Sequence, residues 1–232
     1  MTYGDVPVEE FNNLNLDTER VVCGPLLRYI GIDYGTQTYR GSCLLVSTDR
    51  RAPQLYVQLR NDQGETRAFN ISGEELDSFR GQYHFWRYEL RLPLEAGRQV
   101  VTYQSDAFNP QEFHLPAYNE SMKFMFYSCS GFSDIPQETK DKFGEKEAPL
   151  WQDVLDRHKV APFHVLLGGG DQLYQDKLIK EDFMEPWRDE KDPKKRLAMT
   201  LSTEMREGLE HFFFWNYVNC FGYVRWYLAL PS

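Results

Sequence analysis

Hydrophobic and polar positions change their period along this chain. From about residue 20 to 116 the apolar residues come in short β-branched or aromatic runs: VVCGPLLRYIGID, TYRGSCLLVSTD, PQLYVQLR, HFWRYELRLPL and RQVVTYQSD. HFWRYELRL alternates over much of its length, with Phe85, Arg87, Glu89 and Arg91 on one side and Trp86, Tyr88, Leu90 and Leu92 on the other. A strand with one buried face alternates in this way, because successive side chains point to opposite sides. Turn-forming residues separate the runs, among them Asn61-Asp62-Gln63-Gly64 and Ala96-Gly97-Arg98. With no amphipathic helix between the strands, the pattern predicts an antiparallel β-sandwich.

A polar stretch, FNPQEFHLPAYNES, separates this half from a second pattern. MKFMFYSCSG predicts a buried strand that ends in small residues, and PFHVLLGG predicts another. Between them APLWQDVLDRHKV predicts a helix, with Leu150, Val154, Leu155 and His158 on its apolar stripe and Trp151 beside them. Strand, helix and strand make the βαβ unit of a mostly parallel sheet. Beyond residue 195 the run KRLAMTLSTEMREGLEHFFFWNYVNCFGYVRWYLAL predicts helix. The fold class expected is therefore mixed, α+β with an α/β part. A polar tail (1–19) precedes a β-sandwich domain (20–117), and a second domain follows (118–232).

Composition narrows the function classes. The 232 residues carry 35 acidic against 26 basic side chains, a net charge of −9. That balance argues against binding to nucleic-acid scaffolds or anionic membranes. No apolar run approaches the ~20 residues of a membrane span, so membrane insertion is not expected. The N-terminus is polar and acidic, without the basic and apolar regions of a secretion signal, and the expectation is a cytoplasmic protein. Aromatic residues reach 15%, which calls for packed clusters of rings. Cys23, Cys43, Cys129 and Cys220 show no CxxC spacing, so reduced thiols are expected, and a buried inert thiol is the simplest reading of each.

In parallel sheets ligands gather at the carboxyl ends of the strands, and two informative loops lie there. One is Ser128-Cys129-Ser130-Gly131; the other is Gly168-Gly169-Gly170-Asp171-Gln172-Leu173-Tyr174. No Lys-Ser/Thr pair follows the glycines and no full GxGxxG is present, which excludes both phosphate-loop readings. A metal reading remains. An aspartate after a strand and a glycine turn can offer both oxygens to cations, and one turn of nascent helix would bring the Tyr174 phenol to the same side. Cys129 would add a thiolate, and such a donor set suits a highly charged transition metal. The same junction also reads as Asp171 capping a helix with Tyr174 packed, and pattern alone leaves both open. Arg188, the Lys194-Lys195-Arg196 cluster and Asp176 read as solvated charges. His158 and His164 read as structural histidines, and Asn216 and Asn219 as polar packing partners on an aromatic helix.

FMFYSCSGFSD, LWQDVLDRHKVAPFHVLLGGGDQLYQD, FMEPW and EMREGLEHFFFWNYVNCF together resemble the PhoD-like metallophosphatases, in their intracellular fungal branch. The likeness runs over residues 20–230 and is strongest over 122–221. It implies a β-sandwich followed by an α/β metallophosphoesterase domain of four layers, and phosphoric ester hydrolysis at a centre of ferric iron and calcium. By the same resemblance Cys129 binds the ferric ion, Asp171 bridges to the second metal, and Tyr174 supplies a phenolate; the partner is a phosphate-ester substrate. Family members continue into another strand, a Trp-Asp-Asp-His type motif and later ligands, whereas this chain stops at Leu230-Pro231-Ser232. Only the first half of the enzyme domain is therefore expected. The alternative to an enzyme is an inactive truncated fragment that serves as a binding or regulatory module, with the last strand edge and the faces of HFFFWNYVNCF exposed.

Overall fold

The computed structural model describes residues 4–5, 7, 16–129, 136, 138, 141–142 and 149–222. Two antiparallel sheets dominate it. In the first, β2 (Val21–Asp33), β3 (Thr38–Ser47), β7 (Tyr83–Pro93) and β6 (Glu74–Phe79) lie side by side in that order. The second runs β1 (Gly4–Asp5), β5 (Thr66–Ile71), β4 (Leu55–Asn61), β8 (Gln99–Ser105) and β9 (Phe108–Leu115). Leu45, Trp86, Tyr88, Leu90 and Leu92 of the first sheet share one buried core with Leu55, Val57, Val101, Tyr103 and Phe113 of the second. On β7 the alternation reads through directly: Trp86, Tyr88, Leu90 and Leu92 are buried while Arg87 and Arg91 are exposed. Buried rings keep their polar atoms paired, as the Tyr88 hydroxyl donates to the Pro53 carbonyl (2.7 Å) and the Trp86 indole to Ser47 Oγ (3.2 Å).

The polar stretch expected to separate the halves is instead strand over its first eight residues. FNPQEFHL is β9, with Phe108, Phe113 and Leu115 buried. Pro110 is tolerated because β9 is a sheet edge and the register with β8 shifts between Tyr103 and Ser105, where no ladder N–H is required of it. Strands β5 and β6 were not among the runs recognised, since β6 (EELDSF) is an acidic edge strand with little apolar signal.

After β9 comes the βαβ unit: β10 (Phe124–Tyr127), helix α1 (Pro149–Val160) and β11 (Val165–Gly168), with β10 and β11 parallel and Phe124 opposite Val165. Neither strand is the buried element its composition suggests. Phe124, Phe126, Leu166 and Leu167 are exposed, because among the described residues this ribbon has only two strands and α1 as its covering helix. Trp151 does pack, its ring 5.0 Å from that of Tyr127, but Leu150, assigned to the same stripe, points away and is 80% exposed. Between β10 and α1, residues 130–135, 137, 139–140 and 143–148 lie outside the described residues.

Short 3-10 turns, Asp176–Lys180 and Asp182–Met184, lead into α2 (Glu185–Asp189) and α3 (Pro193–Ala198). Helix α4 (Thr203–Phe221) is capped by Ser202, whose hydroxyl accepts from the Met205 N–H at 3.1 Å. The expected helical run is thus broken at 199–202, and its last eight residues fall outside the described part. One face of α4 returns to the sandwich, where Val218, Phe214 and Trp215 join Cys23, Val46, Tyr83 and Phe85 in a second apolar cluster. The other face leaves Phe213, Tyr217 and Phe221 exposed, so the exposure expected of HFFFWNYVNCF is realised on one side only.

Candidate metal centre

Parallel pairing of β10 and β11 decides which loop residues meet. Tyr127 stands opposite Gly168, so Cys129 and Asp171 leave the same ends of neighbouring strands. Backbone contacts continue past the ladder: the Gly169 N–H donates to the Tyr127 carbonyl (2.7 Å) and the Cys129 N–H to the Gly170 carbonyl (2.8 Å). Ser128 Oγ donates to that same Gly170 carbonyl at 3.0 Å, and Gln172 Nε2 at 2.9 Å. This lacing brings the Cys129 thiol to 3.9 Å from Asp171 Oδ2, to which it donates. The Tyr174 phenol lies close enough for Cys129 and Asp171 to act on its proton. Its proton is held more tightly than in a free phenol, by desolvation first, then by Cys129 and the charges of Asp171 and Asp176.

The three residues singled out in the sequence are therefore neighbours, but two details of their arrangement differ from expectation. No helical turn carries Tyr174, since residues 171–175 form no regular element and Asp171 caps nothing. The glycines do not make the turn either. Gly168, Gly169 and Gly170 all keep ordinary φ, while Cys129 and Asp171 adopt left-handed backbone at φ 65° and 59°. Only a few per cent of non-glycine residues do so, and such strain persists where the surroundings hold it. Close approach bears on Gly169 instead: a Cβ there would fall 2.8 Å from the Phe126 ring and 3.2 Å from the Tyr127 carbonyl.

Cys129, Asp171 and Tyr174 are all exposed, as a site open to a ligand must be. Thiol, carboxylate and phenol form a donor set that fits a transition metal once the thiol and phenol lose their protons. Among the described residues no group of three or more His, Cys, Asp and Glu side chains gathers that could hold a metal ion. Asp176 sits exposed at the start of the following 3-10 turn.

Other candidates fall elsewhere. Arg188 donates to the Ile179 carbonyl (3.2 Å), and Arg196 lies over the Trp187 ring and donates to the Glu190 carbonyl (3.0 Å). His158 and His164 are structural, as read: their Nδ1 atoms accept from the N–H groups of Phe163 (3.1 Å) and Lys123 (2.9 Å). Of the cysteines, Cys23 and Cys43 are buried, with thiols pushed up to about 11 and about 12 by burial. Cys129 and Cys220 are exposed, contrary to the simplest reading. Asn216 was assigned to packing, yet its amide reaches the site loop, donating to the Tyr174 carbonyl (3.1 Å) and to Gln175 Oε1 (2.9 Å). The sequence signal for it was its i,i+4 spacing to Cys220, whose thiol donates to the Gln172 carbonyl at 3.1 Å.

A family model described as PhoD related phosphatase matches residues 110–229, more than half of the 232-residue chain. The chain belongs to the PhoD related phosphatase family. The PhoD related segment takes in β10, α1, β11, both loops of the donor cluster and α4. An uncharacterized protein of Saccharomyces cerevisiae is 31% identical over 229 residues, an alignment that takes in 91% of this chain and 31% of the relative. The chain thus spans about a third of the length of that curated relative. A solved structure described as the ApaA protein from Bordetella pertussis is 15% identical and covers 41% of this chain and 91% of its own, at a TM-score of 0.22. No helix among the described residues is long and apolar enough to cross a membrane.

Proposed function

We propose that this chain supplies one side of a metal centre for hydrolysis of a phosphoric ester, with Cys129, Asp171 and Tyr174 as ligands. The observation that carries the reading is the convergence of the Cys129 thiol on Asp171 Oδ2 at 3.9 Å, beside the Tyr174 phenol, in a PhoD related segment. In this reading the metals are ferric iron and calcium, and β10, α1 and β11 begin a four-layer α/β metallophosphoesterase domain that starts near residue 118. Bound metal supplies positive charge that offsets the charge of the phosphoryl group and acidifies a water for attack. The protein's own part is positional. Ser128 and Gln172 hold the Gly170 carbonyl, and so fix the backbone on which Asp171 turns its carboxylate toward Cys129. Tyr174 brings a hard oxygen donor next to the soft sulfur, which favours a trivalent ion that keeps both deprotonated.

A second reading, a non-catalytic binding or regulatory module, is favoured by one observation: among the described residues no group of three or more His, Cys, Asp and Glu side chains gathers that could hold a metal ion. The test is a phosphoesterase assay on the purified chain with added iron and calcium, beside Asp171→Ala and with bound metal measured in both. Metal-dependent turnover lost in the variant supports the enzyme. Folded protein that neither binds metal nor turns over substrate overturns catalysis by this chain and leaves the second reading.

A further inference from the structure

Helix α4 touches both halves of the described structure, and it does so with opposite faces. At 100° per residue, Phe214 and Val218 lie on one side of the helix and Asn216 and Cys220 on the other. The first pair faces the sandwich: Phe214 stacks on Phe79 at 4.3 Å and on Tyr83 at 5.1 Å, and Val218 is buried against Cys23 and Val46. At the helix start the Arg80 guanidinium donates to the Glu207 carbonyl (3.1 Å), a further tie to the sandwich. Asn216 and Cys220 hold the backbone of the site loop at the Tyr174 and Gln172 carbonyls, 3.1 Å in each case. Those two carbonyls flank Leu173, so the loop segment that presents the phenol is gripped at both ends.

We infer that α4 is a strut that sets the position of Tyr174 from the β-sandwich, with Asn216 and Cys220 as positioning residues for the metal centre. The inference rests on Tyr174 being a ligand, as proposed above, and adds the residues that hold it there. The loop has no helix of its own over 171–175, and these two hydrogen bonds tie it to α4. Hydrogen bonds behind a metal ligand orient it, and their loss typically costs about 10- to 100-fold in metal affinity. The sandwich thereby becomes a structural part of the site rather than an appendage to it.

Ferric iron is the probe, added as its citrate to the whole chain, with the phenolate-to-iron absorption band read in the visible. Wild-type protein is expected to develop the band and Tyr174→Phe to lose it. Asn216→Asp keeps the shape of the side chain but cannot donate; Cys220→Ala removes the thiol donor. Each is expected to weaken ferric binding about tenfold or more and to shift the band, with Cys220→Ser restoring both because a hydroxyl still donates. Wild-type affinity and band position in Asn216→Asp and Cys220→Ala would overturn the strut while leaving Tyr174 a ligand. Absence of any band in wild-type protein would overturn the ligand reading itself.

Discussion

Cys129 Sγ stands 3.9 Å from Asp171 Oδ2, and both residues hold left-handed backbone, at φ 65° and 59°. A left-handed residue with a Cβ costs roughly 1–2 kcal/mol, and here that strain aims two donors at one point.

Glycine at either position should therefore stabilise the fold while removing a donor. Relief of the left-handed cost outweighs the roughly 0.5–1 kcal/mol of added chain entropy that glycine brings. Cys129→Gly is expected to gain about 0.5–1 kcal/mol in urea unfolding and to lose ferric binding. Asp171→Gly should gain less, since aspartate tolerates this backbone better. Lower stability in both variants would remove the argument for stored strain.

The three glycines should differ sharply when substituted. A Cβ on Gly170 meets nothing within 4 Å, so Gly170→Ala is expected to unfold with wild-type behaviour. A Cβ on Gly169 would meet the Phe126 ring at 2.8 Å and the Tyr127 carbonyl at 3.2 Å. The ring of Phe126 is exposed and can yield, but the carbonyl belongs to the ladder, so Gly169→Val should cost about 1–3 kcal/mol. Equal stability of the two variants by chemical denaturation would contradict this assignment.

Acid should loosen the joint between β9 and the βαβ unit. The rings of His114 and His158 meet at 5.3 Å, and burial holds both, with His164, below the ordinary imidazole range. Glu112 beside His114 and Glu120 beside His164 oppose that shift, while Lys123 and Arg98 reinforce it at His164. Because Nδ1 of His158 and of His164 accepts a backbone N–H, a proton placed there breaks the bond. The unfolded chain takes up protons first as pH falls, so this stability is complete above pH 6.5, the ordinary value. It declines below 6.5 toward the depressed native values. The urea midpoint is expected to drop between pH 7.5 and 5, and less steeply in His164→Asn, whose amide oxygen can accept the same N–H without titrating. A parallel drop in that variant would shift the cause to other groups.

Loss of the Phe214 ring should detach α4 from the sandwich. The ring stacks on Phe79 and Tyr83 and meets Phe85 and Trp215 edge-on. It is only partly buried, so Phe214→Ala is expected to cost about 2–3 kcal/mol, below the range for a fully buried ring. Trp215 emission should move to longer wavelength in the folded variant; an unchanged spectrum and stability would mean that the cluster does not hold the helix.

The alternation of HFWRYELRLPL and the lengths of the strand runs were enough to predict the sandwich, because a strand with one buried face writes its burial every second residue. Helix α1 and the order of β10 and β11 were equally legible. Strand β9 was not, since Pro110 and its polar neighbours are permitted by an edge position that only pairing defines. Leu150 joined the predicted stripe on spacing alone, and the packing of α1 left it outside.

For the site, residue types and their places after two strands were sufficient to nominate Cys129, Asp171 and Tyr174. Chemistry is written in side chains, and side chains are what a sequence states. How the three donors meet was decided elsewhere. The parallel register, the contact of Cys129 with Asp171, and the grip of Asn216 and Cys220 on the loop all join residues about 40 or more positions apart. Such contacts depend on which backbone groups remain unpaired once sheets and helices have formed, and that accounting closes only in the folded molecule.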